Sequence, residues 1–204
     1  MSRPRHSLIR SAPEAALCWR IMQFLTDFAD QAVVLPATLA LMLTLMATDW
    51  RRGALCWGLV VTATLGLMLV LKLAAYVWPA AFAGWGLHSP SGHVAAAAIL
   101  YGGLAALLLE RRALALLIAC GIALVIAMTR LLLRHHSLPE VAVGGLVGLA
   151  GVVVLLRLTP PAPRTVSRVA LAMAVLSVAV LMHGERLHAE PAIRHTAERL
   201  VRLF

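Results

Sequence analysis

Charge is scarce in this chain. Only 13% of its 204 residues are Asp, Glu, Lys or Arg, while 61% are hydrophobic and the mean hydropathy is +0.88. Soluble domains carry about 25% charged and about 45–50% apolar residues. The composition therefore excludes an ordinary soluble domain and predicts an all-α integral membrane protein. Cysteine is scarce too, and Cys18, Cys56 and Cys120 share no metal-ligand spacing. They read as small core hydrophobes, which excludes a disulfide framework. The nine acidic residues form no cluster of carboxylates fit to bind a metal. Rarest of the charged residues is lysine: Lys72 stands alone against seventeen arginines. The net charge of +9 is spread through loops and tails with no basic-aromatic face, so it reads as membrane-edge anchoring and not as nucleic-acid binding.

What is present is apolar runs. Six are predicted to cross the membrane: Ala32–Thr48, Ala54–Val77, Val94–Leu109, Ala113–Met128, Val141–Leu156 and Val166–Met182. Several lie at the short end of the roughly 17–25 residues a crossing needs. The first begins too far into the chain, with no small-residue cleavage site after it, to be a removable signal peptide. Pro160, Pro161 and Pro163 mark a stiff link before the last run. Both tails show helical apolar spacing and are expected to be interfacial helices. In the first, Leu17, Ile21, Phe24, Leu25 and Phe28 share a face; in the second, Ile193, Ala197, Leu200, Val201 and Phe204 do so. The expected organisation is a tail over residues 1–31, a six-span domain over 32–183 and a second tail over 184–204. Neither tail carries a recognisable catalytic signal.

The loops give an orientation. Arg51 and Arg52, Arg111 and Arg112, and Arg157, Arg164 and Arg168 fall on connections that share one face, which the positive-inside rule makes cytoplasmic. The tails oppose this, with four arginines each against three acidic residues. The short loops, on which the rule rests, are followed here.

Four polar clusters lie at the opposite face, beyond the cytoplasm of what is expected to be a bacterial inner membrane. They are Lys72 near the end of the second run, His88–His93 before the third, Thr129-Arg130 closing the fourth, and His136–Glu140 opening the fifth. An ionised side chain within a span costs about 2.5–3.5 kcal/mol on insertion scales, so Lys72 reads either as functional or as snorkelling to the interface. Ser91-Gly92-His93 offers a helix N-terminus, a hydroxyl and a proton carrier, which suits a phosphate; it also reads as an ordinary turn. Glu140 follows His136 by four residues and can orient its ring as in a catalytic triad, or simply cap the helix that Ser137 opens. Arg134 reads as a phosphate contact or an interfacial arginine.

Together these residues resemble the type 2 phosphatidic acid phosphatase superfamily, which shares its site with vanadium haloperoxidases. The second family motif, P-S-G-H, is intact as Pro90-Ser91-Gly92-His93. The third, S-R-x5-H-x3-D, is matched by Thr129, Arg130, His136 and Glu140, with hydroxyl and carboxylate kept. The first, K-x6-R-P, retains Lys72 but has Pro79 where the arginine belongs; Arg134 is a candidate replacement. The resemblance implies that His136 is a nucleophile forming a phosphohistidine, that Glu140 orients it and that His93 protonates the leaving group. Lys72, Ser91, Gly92 and Arg130 would hold the phosphoryl oxygens, with no metal or other cofactor. The function expected is hydrolysis of a lipid phosphate or diphosphate. A lipid phosphotransferase and a non-catalytic phosphate-binding protein are the alternatives.

Overall fold

The computed structural model describes residues 12–160, 162–163, 165–187 and 189–202, so Pro161, Arg164 and Phe204 lie outside the described residues. Every regular element among them is helical. Helix α1 (Ala12–Asp27) leads through a tight turn into α2 (Gln31–Ala47), then α3 (Arg51–Val77) and the short α4 (Pro79–Ala83). Next come α5 (Gly92–Ala97), a π-helical turn (Ala98–Gly102) and α6 (Gly103–Leu108), which form one continuous run. Helices α7 (Arg112–Leu132), α8 (Leu138–Leu158), α9 (Arg168–Leu181) and α10 (Ala189–Val201) complete the chain.

Four stretches are long and apolar enough to cross a membrane: Ala16–Ala47, Arg51–Val77, Arg112–Leu132 and Leu138–Leu158. Gly92–Leu108 and Arg168–Leu181 are apolar but shorter. The protein is therefore an all-helical membrane protein. Its helix ends follow local chemistry. Asp30 caps α2, its carboxylate accepting the Ala32 N–H at 2.9 Å, and Pro139 sits in the first turn of α8, where a missing N–H costs nothing. Helix α7 runs four residues past the apolar stretch read from the sequence, so Thr129 and Arg130 lie within its last turns.

The core is held by Trp57, Leu41, Leu45, Ile99, Leu100, Leu155 and Leu171, all buried. Trp57 fills the centre and donates its indole N–H to the Thr38 carbonyl at 3.1 Å. With no hydrophobic effect between helices in lipid, close association depends on small residues at the contact. Helix α8 supplies them as Gly144, Gly148 and Gly151. A Cβ at Gly144 would stand 2.3 Å from the Ser91 carbonyl oxygen, one at Gly148 2.8 Å from the Ala95 carbonyl oxygen, and one at Gly151 2.4 Å from Thr64 Oγ1. Gly144 and Gly148 bring the start of α5 hard against α8, which sets the position of the Ser91 turn, and Gly151 admits Thr64 of α3.

Each tail contains a helix, α1 and α10. Much of the apolar face of α1 is exposed at Leu17, Ile21 and Phe24, while Thr26 and Asp27 at its end are buried. Helix α10 packs along α3, with Ala197 buried.

Candidate active site

A cavity of about 790 Å³ opens at one end of the bundle, where the α1–α2 turn, the end of α3, the start of α5, the α7–α8 link and the approach to α10 meet. Its lining includes Lys72, Gly92, His93, Arg130, His136 and Glu140. Ser91 is buried beside it as the residue before α5. Chain order scatters these residues over some seventy positions; folding brings them together.

Glu140 organises one side. Its Oε2 stands 2.9 Å from His136 Nδ1 and accepts the Ser137 N–H at 3.0 Å. Its Oε1 accepts the N–H groups of His88 and Ser89 at 2.9 Å each. The Glu140 carbonyl accepts the Ser91 N–H at 3.0 Å. The capping role and the His136-orienting role therefore coexist on one carboxylate, which also ties the Ser91 turn to α8. His136 is nearly enclosed, with its side chain 10% exposed. Burial pushes its pKa below the ordinary imidazole value; the Glu140 contact works against that shift, and repulsion from Arg130 and Lys72 adds to it. The ring is thus neutral at pH 7, the state a nucleophile needs.

Arg130 reaches into the cavity from α7, buried, with one contact to Thr26 Oγ1 at 3.5 Å. Its Nε and the Ser91 hydroxyl are buried without a protein partner. Buried polar atoms are nearly always satisfied, and two orphans at one site mark a place built for an anion. Lys72, also buried, passes over Gly92: a Cβ at 92 would meet Lys72 Cε at 3.4 Å.

Several residues in the site were not legible in the sequence. Asp30 places a carboxylate oxygen 3.5 Å from His93 Nε2 while accepting the Ala32 and Leu187 N–H groups at 2.9 Å. Helix α10 contributes Glu190, paired with Lys72 at 2.5 Å and bonded to Ser89 and Tyr76. Burial works against the charge on Glu190, yet the bond and attraction from Lys72, helped by Tyr76 and Ser89, lower its pKa to about 2. Arg194 lies over the Tyr76 ring, 5.5 Å from its centre, and lines the cavity. The tail read as free of chemical signal therefore forms one wall of the site. Arg134, by contrast, is exposed, has a φ of 56° and is not among the lining residues. His135 lines the cavity but is exposed, and the contact to Glu140 belongs to His136.

Comparison with known proteins agrees with this geometry. The family model described as PAP2 superfamily matches residues 70–164, which span all three motifs. A protein of Klebsiella pneumoniae described as "Uncharacterized 22.5 kDa protein in cps region" is 31% identical over 183 residues, covering 81% of this chain and 83% of that relative. No solved structure matches the chain. With its motifs drawn around one cavity and a relative aligned along most of its length, the chain belongs to the PAP2 superfamily.

Proposed function

We propose that the protein is a metal-independent membrane phosphatase that hydrolyses a lipid phosphate or diphosphate through a phosphohistidine at His136. Superfamily membership supports phosphatase-type activity. The observation that carries the finer reading is the pairing of His136 with Glu140 at 2.9 Å beside two buried, unpartnered groups, Arg130 Nε and Ser91 Oγ. His136 Nε2 attacks phosphorus while Nδ1–H is held by Glu140. The phosphorus–oxygen bond to the leaving group breaks, and His93, steadied by Asp30, delivers a proton to that oxygen. Water then attacks the phosphohistidine, His93 takes its proton, and inorganic phosphate leaves with His136 restored. Lys72, Arg130, Ser91 and the backbone at Gly92 stabilise the charge on the phosphoryl oxygens, which is usually the largest single contribution to such catalysis.

The cavity wall supports a lipid substrate. Leu35, Leu65, Met68 and Leu69 continue the polar floor as an apolar surface, and Leu35 and Leu69 are exposed at 47% and 44%. In this reading a headgroup reaches the floor while its chains stay against α2 and α3.

Six crossings and an external site follow from the same reading. Gly92–Leu108 runs from this cavity to a second one of about 600 Å³ lined by Leu109, Arg112, Thr159 and Arg168. Helix α9 begins at that second cavity and leads back toward Leu187 at the first. In this reading both shorter helices traverse the bundle, and the arginine-bearing connections lie at the end away from the site, which the positive-inside rule makes cytoplasmic.

The test is phosphate release by the purified protein in detergent, from phosphatidate, phosphatidylglycerophosphate and a polyprenyl diphosphate. Activity on at least one, unaffected by chelators and inhibited by vanadate, is expected. Release from none overturns the reading, and phosphate transferred to an added hydroxyl acceptor identifies a transferase instead.

A further inference from the structure

Two distinct sets of anion-binding groups line this one cavity. The first is the set around His136, where Ser91 Oγ and Arg130 Nε are buried without a protein partner. The second converges on the carboxylate of Glu190. Lys72 Nζ stands 2.5 Å from Oε2, Ser89 Oγ donates to Oε1 at 2.8 Å, and the Tyr76 hydroxyl also donates to Oε1. Lys72 and Ser89 are both buried and bonded to each other at 2.9 Å. An ammonium and two hydroxyls fixed around one point make a built anion site.

The occupant differs in kind from its hosts. The Glu190 side chain is 45% exposed, against 8% for Lys72, and it hangs from the first turn of α10, where it can rotate into solvent without disturbing the core. Lys72 belongs to both sets, since its Cε lies over Gly92 while its Nζ points to Glu190. Arg194 adds a second cation beside Tyr76.

Building on the phosphatase reading above, we propose that Lys72, Ser89 and Tyr76 form a second anion subsite, held by Glu190 at rest, that takes the inner phosphate of a lipid diphosphate. The terminal phosphoryl group then lies at His136, among Ser91, Gly92 and Arg130. The His136–phosphorus bond forms and the bridging phosphorus–oxygen bond breaks. A lipid monophosphate departs with a proton from His93, its developing charge facing Lys72, Ser89 and Tyr76. Glu190 gives up its three partners to the incoming phosphate and turns to water. A lipid monophosphate fills only the first set.

The experiment compares kcat/KM for a polyprenyl diphosphate with that for the matched monophosphate, together with inhibition by inorganic pyrophosphate and by phosphate. The full-length wild type is expected to prefer the diphosphate, and pyrophosphate to inhibit more tightly than phosphate. Tyr76→Phe and Ser89→Ala should each lower the diphosphate-to-monophosphate ratio by at least about tenfold. Glu190→Gln should tighten pyrophosphate inhibition several-fold, because the competing charge is gone. A wild-type ratio near one, or a ratio untouched by all three substitutions, overturns the subsite. If neither lipid is hydrolysed, the phosphatase reading fails, and the subsite is decided separately by thermal shift of the wild type. There, a larger stabilisation by pyrophosphate than by phosphate supports it, and equal stabilisation overturns it. The same wild-type measurement decides where a variant does not fold.

Discussion

The two ends of the bundle use charged residues in opposite ways. At the end bearing the short arginine-rich connections, Arg168 and Glu110 pair at 2.7 Å, but their side chains are 57% and 82% exposed. Water screens such a pair, which contributes at most about 1 kcal/mol. At the other end Lys72, Arg130 and Glu140 are buried, and Glu140 holds two segments together, His88-Ser89 and His136-Ser137. Both ends border a cavity. Burying charge in so apolar a protein is expensive, so the end that bears the cost is the one with chemistry to perform. In the topology proposed above, the exposed arginines at the other end face the cytoplasm and set the orientation.

The contrast breaks most visibly at His136. His136→Ala should lower kcat by at least ~10³-fold with folding intact, whereas His135→Ala should cost only a few-fold, as measured by phosphate release. Equal losses would mean that the Glu140 contact does not identify the nucleophile. Because burial depresses the pKa of His136, its neutral, nucleophilic form persists as pH falls toward the ordinary imidazole value. Activity governed by this group should decline only below about pH 6.5. An acid limb centred above that value would contradict the assignment.

Next in size is Lys72. Lys72→Arg keeps the charge but replaces a compact ammonium by a broad planar group between Ser89 and Gly92. It should reduce kcat/KM by ~10-fold or more, equivalent to about 1.4 kcal/mol of transition-state binding. Lys72→Met should be worse. If both variants stay within twofold of wild type, Lys72 only snorkels.

Gly144→Ala tests the packing that supports the site. Its new Cβ must displace the Ser91 backbone, so a loss of about 1–3 kcal/mol in stability is expected, with a fall in kcat/KM as the Ser91 turn moves. Unchanged thermal stability and turnover would show that the α5–α8 contact is slack. The smallest effect belongs to the far end. Arg168→Ala should leave kcat/KM within about twofold and stability within about 0.5 kcal/mol. A large loss there would erase the distinction between the two ends.

Much of the helical plan could be read along the chain because lipid imposes a local requirement. Each span must satisfy its own backbone hydrogen bonds, so apolar length alone reports it. The run read as Ala32–Thr48 is found as Gln31–Ala47, and the run read as Ala54–Val77 begins three residues earlier, at Arg51. Boundaries slipped where polar residues continue a helix: in α7 Thr129 bonds back to the Ile126 carbonyl and Arg130 turns into the cavity, and neither ends the helix. The motif residues were legible for a similar reason, since Lys72, Ser91-Gly92-His93 and His136–Glu140 stand out as polar groups in apolar surroundings.

Asp30, Tyr76, Glu190 and Arg194 were not legible, because nothing in their neighbours distinguishes them from caps and interfacial residues. Their roles depend on which helix lies opposite, and that is decided by packing. By itself the sequence determined that the chain is helical, that it belongs in a membrane, and which residue types could handle a phosphate. It did so through hydropathy and spacing, both local properties. Only the tertiary structure decided that Gly144 would draw the Ser91 turn onto α8, that Asp30 would stand beside His93, and that α10 would lay a carboxylate on Lys72. Those contacts join residues far apart in the chain, and shape complementarity between helices, which no local pattern encodes, chooses the partners.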